Sequence, residues 1–111
     1  VSDFTFKQLQ EEVQTWQEYN FGTHDAIDPL LGAVEELGEL AHAHLKESQG
    51  IRGHPEALQL EARDAVADCI VYLTDYCSVR GWDLDEIMRE TWDQVKQRDW
   101  KKYPMTGRPP E

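Results

Sequence analysis

An all-α, bundle-like domain is what this sequence predicts, and three observations predict it. Apolar residues recur with a helical period along the whole chain, no stretch alternates long enough to make a strand, and start and stop signals cut the chain into four segments joined by short connections. The first helix begins at Thr5, whose hydroxyl and the Gln8 side chain three residues on form a capping-box pattern, and it is expected to bury Phe6, Leu9, Val13 and Trp16. FGTHDAID breaks it. A second helix follows Asp28-Pro29, an N-cap with proline at the first helical position, and runs to about Lys46. After the loop SQGIRGHP, a third spans Glu56 to Val79, with Ala62, Ala65, Val66, Cys69, Ile70, Leu73, Tyr76 and Cys77 as a broad apolar face. Asp83 with Glu86 repeats the capping-box pattern and opens a fourth helix through Ile87, Met88, Thr91 and Val95 to about Lys102, before Pro104 and GRPPE stop it.

The 111 residues form one domain, residues 1–111, with no internal repeat, low-complexity tract or linker. Twenty-two acidic residues against 11 basic ones give a net charge of -11, which repels a nucleic-acid backbone and an anionic membrane surface. No apolar run approaches a membrane span, and VSDFTFKQ lacks a basic start followed by a hydrophobic segment. A cytoplasmic protein is therefore expected. Cys69 and Cys77 lie too far apart on one helix to bridge, which makes them reduced, core-filling thiols.

The second helix carries three carboxylates in five positions within VEELGELA, where like charges on neighbouring turns repel. Glu36 borders the stripe of Leu30, Ala33, Leu37, Leu40 and Ala41, Glu39 lies about 60° further out, and Glu35 points towards solvent. Gly32 and Ala43 fall on the same side and would leave room there. On the third helix Glu61, Asp64, Asp68 and Asp75 form one acidic stripe, with Asp68 nearest the apolar edge. Two such stripes are either solvated faces or a site where a divalent cation offsets their repulsion. The residues alone leave both readings open.

VEELGELAHA and DAVADCIVYL, separated by LKESQGIRG, with WQEYNFG before them and VKQRDWKKYP after, resemble the MazG-like nucleoside triphosphate pyrophosphohydrolases of the all-α NTP pyrophosphatase superfamily. The likeness covers most of the chain. It implies hydrolysis of a (deoxy)nucleoside triphosphate between the α and β phosphates, serving nucleotide-pool house-cleaning, with magnesium, or manganese in its place, held by carboxylates of two helices. By position it assigns Glu36 and Glu39 to the first ligand pair and Asp68 to the second. The acid that many members place three residues before that aspartate is Ala65 here, so Asp64, one turn from Asp68, is the replacement and Glu61 the reserve. Glu35 or Glu36 is the candidate to orient or deprotonate the attacking water.

A chain this acidic repels a triphosphate unless cations mediate the contact, which fits the magnesium reading. Lys46, Arg52, Lys96, Arg98, Lys101 and Lys102 are phosphate candidates, set against their role as complements to helix C-termini. Trp16 and Phe21 are candidates for base stacking as against core packing, and Asn20 or Gln17 for reading a base edge. Three rival readings compete. Glu39-x-x-His42 is half of a di-iron carboxylate pattern whose second half only a homodimer could supply. His24-Asp25 suggests paired ligands of another phosphohydrolase class, or simply a turn. Four tryptophans could anchor a non-enzymatic helical interaction module. The third helix is apolar over about 140° from Ala65 to Cys77, more than one neighbour covers, and Ile70, Val71 and Tyr72 widen the arc. With the family likeness, this predicts a homo-oligomer, dimer or tetramer, in which the basic C-terminal segment completes a neighbour's site.

Overall fold

The computed structural model describes residues 4–111; Val1, Ser2 and Asp3, where the expected domain begins, lie outside the described residues. Four helices and no strand are present among the described residues: α1 (Phe6–Phe21), α2 (Ile27–Gln49), α3 (Pro55–Arg80) and α4 (Leu84–Val95). The all-α expectation holds.

Local chemistry explains the ends. Thr5 Oγ1 accepts the Gln8 amide at 3.1 Å and Asp83 Oδ1 accepts that of Glu86 at 3.3 Å, as their capping patterns predict. The second helix starts earlier than Asp28-Pro29 suggests, with Ala26 as its N-cap residue, and Asp25 leads into it through a turn in which its Oδ1 accepts the Ile27 amide at 3.0 Å. Asp28 and Pro29 therefore lie within the first turn, where proline still forfeits no intrahelical bond. Gly50 and Gly81, at φ 71° and 74°, end α2 and α3 in the left-handed conformation. The fourth helix stops at Val95 rather than near Lys102. Asp99 takes over there: its Oδ1 accepts the Lys102 amide and its own amide donates to the Gly107 carbonyl, folding the basic segment into turns.

α3 is the central strut. α2 packs along it, α1 packs against both α3 and α4, and α4 touches α1 and α3, whereas α2 packs against neither α1 nor α4. The arrangement is thus an open bundle with a gap between α1 and α2, floored by α3. Ala33, Ala43, Leu58 and Ala65 are buried, and the near-complete burial of Ala43 and Ala65 marks close approach of α2 to α3. The room expected beside Gly32 is filled, because a Cβ there would collide with the Tyr72 ring. Gln10 does a structural job that its polarity hides: Nε2 donates to the Trp82 carbonyl at 2.8 Å and to Ser78 Oγ at 3.2 Å, while Oε1 accepts the Leu84 amide at 2.8 Å, so one amide ties α1 to the α3–α4 turn.

Burial on α1 differs from expectation. Val13 is buried, but Phe6 and Trp16 are exposed and Gln17 takes the inner position. On α3, Val66, Ile70 and Leu73 are likewise exposed, because α2, α1 and α4 leave that side uncovered. Cys69 and Cys77 are free thiols; burial pushes both up from the usual cysteine range, and at Cys69 the charges of Glu36 and Asp68 add to it. Among the described residues no helix is long and apolar enough to cross a membrane.

Candidate functional site

The gap between α1 and α2 is a cleft of about 810 Å³. α1 contributes Trp16, Gln17 and Phe21, the α1–α2 connection Thr23, His24 and Asp25, α2 Asp28, Pro29 and Glu36, and α3 Asp68, Val71, Tyr72 and Asp75. The cleft thus combines an aromatic region, where Trp16 and Phe21 meet edge to face with centroids 5.8 Å apart, and the carboxylates Glu36 and Asp68. A second cavity of about 470 Å³ is lined by Glu39, His42, Glu61, Asp64, Ala65 and Asp68. Asp68 lines both.

Glu36 is the unusual member. It is half-buried, and its Oε2 is shielded from solvent without a hydrogen-bond partner. Carboxylate oxygens of Glu35, Glu36 and Glu39 approach within 4.8 Å of one another. Desolvation, the adjoining Glu39 carboxylate and the charges of Asp68 and Glu35 hold the Glu36 carboxyl above the usual glutamate range. An unpartnered oxygen amid other carboxylates is a donor set that a hard divalent cation fits, because oxygen ligands with surplus negative charge are what magnesium and calcium take. Glu47 Oε2 is orphaned in the same way on α2, but Glu47 lines neither cavity.

The candidate residues separate in space. Glu35, Glu36 and Glu39 come together on α2, and Asp68 faces them across the α2–α3 pair, lining a cavity with each of Glu36 and Glu39. Asp64 shares the second cavity with Glu61, Glu39 and Asp68 but does not line the main cleft. Trp16, expected in the core if not in the site, is 54% exposed and on the cleft wall with Phe21 and Gln17. Asn20 is turned back onto its own helix, Nδ2 donating to the Trp16 carbonyl at 2.9 Å. Lys46, Arg52, Arg98 and Lys102 line neither cavity. Lys46 donates to Gln49 Oε1 at 3.0 Å, Arg52 occupies a left-handed loop position at φ 64°, Arg98 lies against Gly107, and Lys102 sits 5.6 Å from the Tyr103 ring. Lys96 pairs with Asp93 at 3.5 Å, and Lys101 is exposed in the turns after α4.

One pair escapes the pattern reading altogether. Asp75, placed by spacing in the acidic stripe, is only 3% exposed, and its Oδ2 lies 2.7 Å from His24 Nε2. Its companion Nδ1 lies 3.0 Å from the Gly22 carbonyl oxygen. The Gly22 carbonyl is the largest influence raising His24 above its ordinary 6.5; partial burial opposes it, and the hydrogen bond and charge of Asp75 and the charge of Asp28 add to the rise. So the turn at His24-Asp25 is real for Asp25, whereas His24 is the hydrogen-bond partner of Asp75. The clue was an aspartate embedded in the apolar run IVYLTDYC, which a helix buries only with a partner.

No protein-family model, curated protein or solved structure matches this chain.

Proposed function

We propose that the chain is a magnesium-dependent nucleoside triphosphate pyrophosphohydrolase that cleaves the α–β phosphate bond, releasing a monophosphate and pyrophosphate, and that it serves nucleotide-pool house-cleaning. The observation that carries this reading is one cleft with exposed aromatic rings and, on its other walls, a carboxylate with an orphaned, shielded oxygen beside Asp68. Trp16 and Phe21 offer faces or edges to a base, and Gln17 an amide to its polar rim. Glu36, Glu39 and Asp68 would hold the ion, with Asp64 and Glu61 on the far side of Asp68 as further ligands. Bound there, magnesium or manganese supplies charge neutralisation for a triphosphate and a more acidic bound water. Glu35, exposed beside Glu36, or Glu36 itself would accept a proton from the attacking water. The likeness of VEELGELAHA and DAVADCIVYL to MazG-like enzymes supports the same reaction.

The working form in this proposal is a homo-oligomer, dimer or tetramer. The chain exposes 8751 Å², against about 6300 Å² for a compact monomer of its mass. Its radius of gyration of 17.8 Å exceeds the roughly 13 Å of a globule of this length. Leu30, Val34, Leu37 and Leu45 on α2 and Val66, Ile70 and Leu73 on α3 make up part of that excess. A neighbour's C-terminal turns would bring Arg98, Lys101 and Lys102 to phosphates that this chain's own basic residues do not reach. Trp92 and Trp100 are also exposed, which favours as second reading a non-enzymatic interaction module using these rings as anchors.

The deciding experiment is pyrophosphate release from a panel of standard and modified triphosphates with magnesium, with phosphorus NMR to identify the products. Monophosphate plus pyrophosphate from at least one substrate, abolished by chelation, is the expected result. Diphosphate and orthophosphate as products would remove the pyrophosphohydrolase reading, and no turnover with either magnesium or manganese would remove the hydrolase reading altogether.

A further inference from the structure

The α1–α2 connection forms one wall of the cleft, yet α1 and α2 do not pack against each other. Its position depends on few bonds. Asp25 closes a local turn onto Ile27 and Asp28 at the start of α2, and among the described residues one side-chain hydrogen bond joins the connection to an element other than the two helices it links: His24 Nε2 to Asp75 Oδ2 on α3. Both ring nitrogens of His24 face acceptors, a backbone carbonyl at 3.0 Å and a carboxylate oxygen at 2.7 Å, so the geometry is that of an imidazolium donating twice.

The charges around it are one-sided. His24 borders the main cleft and a smaller cavity of about 260 Å³; Asp68 and Asp75 on α3, Glu18 on α1, Asp25 in the connection, Asp28 at the start of α2 and Glu36 further along it line these two, and neither has a lysine or arginine in its wall. His24 is therefore the one side chain in those walls able to carry positive charge. We propose that His24 is a positioning residue and a proton-operated latch: as an imidazolium it clamps Gly22 and Asp75 together, and as a neutral ring it stays on Asp75 but releases Gly22, loosening the cleft wall where α1 ends. The proton it loses to solvent is the one on Nδ1, because the carboxylate holds the Nε2 proton more strongly than a carbonyl holds the other. Two lone pairs then face each other across the Gly22 contact, and the carbonyl swings away. Gly22 is built to permit this, at φ 69° with nothing near the place of a Cβ, at the end of the helix that carries Trp16 and Phe21.

The latch concerns the ligand-free protein and does not rest on the hydrolase reading; only its consequence, weaker nucleotide binding above the midpoint, does. Nitrogen NMR of histidine-labelled protein tests it, with His24→Gln assigning the signal among the four histidines. Expected is a ring protonated on both nitrogens at pH 6, titrating above 6.5, with the midpoint falling in Asp75→Asn. Amide exchange at residues 23–26 should accelerate beyond the ordinary base-catalysed rise as pH passes the midpoint, a step missing in His24→Gln. Should His24→Gln not fold, Asp75→Asn makes the assignment by the signal it moves. A single neutral tautomer at pH 6, a midpoint unmoved in Asp75→Asn, or exchange without the extra step would overturn the latch, whatever the activity assay returns.

Discussion

Two shielded carboxyl groups in the walls of the same cleft, Asp75 and Glu36, are solved in opposite ways. Asp75 is the more deeply buried, yet its charge is answered within the chain by the His24 ring at 2.7 Å. Glu36 is less buried, yet its neighbours Glu35, Glu39 and Asp68 are all acids and its Oε2 has no partner. A protein removes the cost of a buried charge by pairing it, and Asp75 illustrates that solution. A carboxyl left unanswered beside three others can be answered from outside, by a proton or a cation. The contrast separates a group that holds the fold from one whose surroundings suit a ligand.

The largest effect should come from the unanswered group. Under the proposed function, Glu36→Ala, Glu39→Ala or Asp68→Ala should each reduce turnover by about a hundredfold or more while circular dichroism keeps its helical signature, since a carboxylate in a metal-assisted step contributes several kcal/mol to the transition state. Near-normal activity of Glu39→Ala at saturating magnesium would break the contrast at its functional end. The answered group should behave in reverse. Asp75→Ala should lower unfolding free energy by roughly 1.5–3 kcal/mol in urea titration at pH 6, the range for a lost hydrogen bond to a charged group. Asp75→Ala as stable as wild type would show that the pair holds nothing.

Metal sharpens the same comparison without an assay of turnover. Magnesium should raise the melting temperature of the wild type and leave Glu36→Gln unmoved, because only a ligand that binds the folded state stabilises it. Without metal, Glu36→Gln should melt higher than wild type at pH 7, and equal shifts of both proteins on adding magnesium would sink the assignment. The sign follows from the raised Glu36 carboxyl: its favourable contribution exists below the unfolded value and is lost as pH rises through the folded one, so the ionised group opposes the metal-free fold.

The His24 contribution is smaller and has the same sign for a different reason. Its value is raised by the Gly22 carbonyl and Asp75, so the stabilisation is complete below the ordinary 6.5 and fades as pH climbs through the folded value. Urea midpoints measured from pH 5.5 to 8.5 should fall in wild type relative to His24→Gln, and parallel curves would exclude the linkage. Smallest of all, Asp83→Ala should cost about 1 kcal/mol through the α4 cap and leave both cleft carboxyls untouched. A change in activity from that substitution would mean that the two ends of the molecule are coupled.

The sequence by itself determined the helices and most of their limits, because capping and period are local. Thr5 and Asp83 act within one turn of where they stand, so their roles are legible without a partner. It also placed Glu35, Glu36 and Glu39 on one helix, where spacing guarantees their proximity. Tertiary structure decided what depends on which helices meet. The openness of the bundle left Trp16 on a cleft wall, drew Gln17 inwards and filled the space beside Gly32 with Tyr72, since burial is a property of neighbours rather than of hydropathy. Period counting put Asp75 in line with Asp64 and Asp68, but the α1–α2 connection reaches α3 at Asp75, and there an aspartate becomes a buried partner for a histidine 51 residues earlier in the chain. Helical spacing specifies an angle around an axis; what stands at that angle is specified by the rest of the fold.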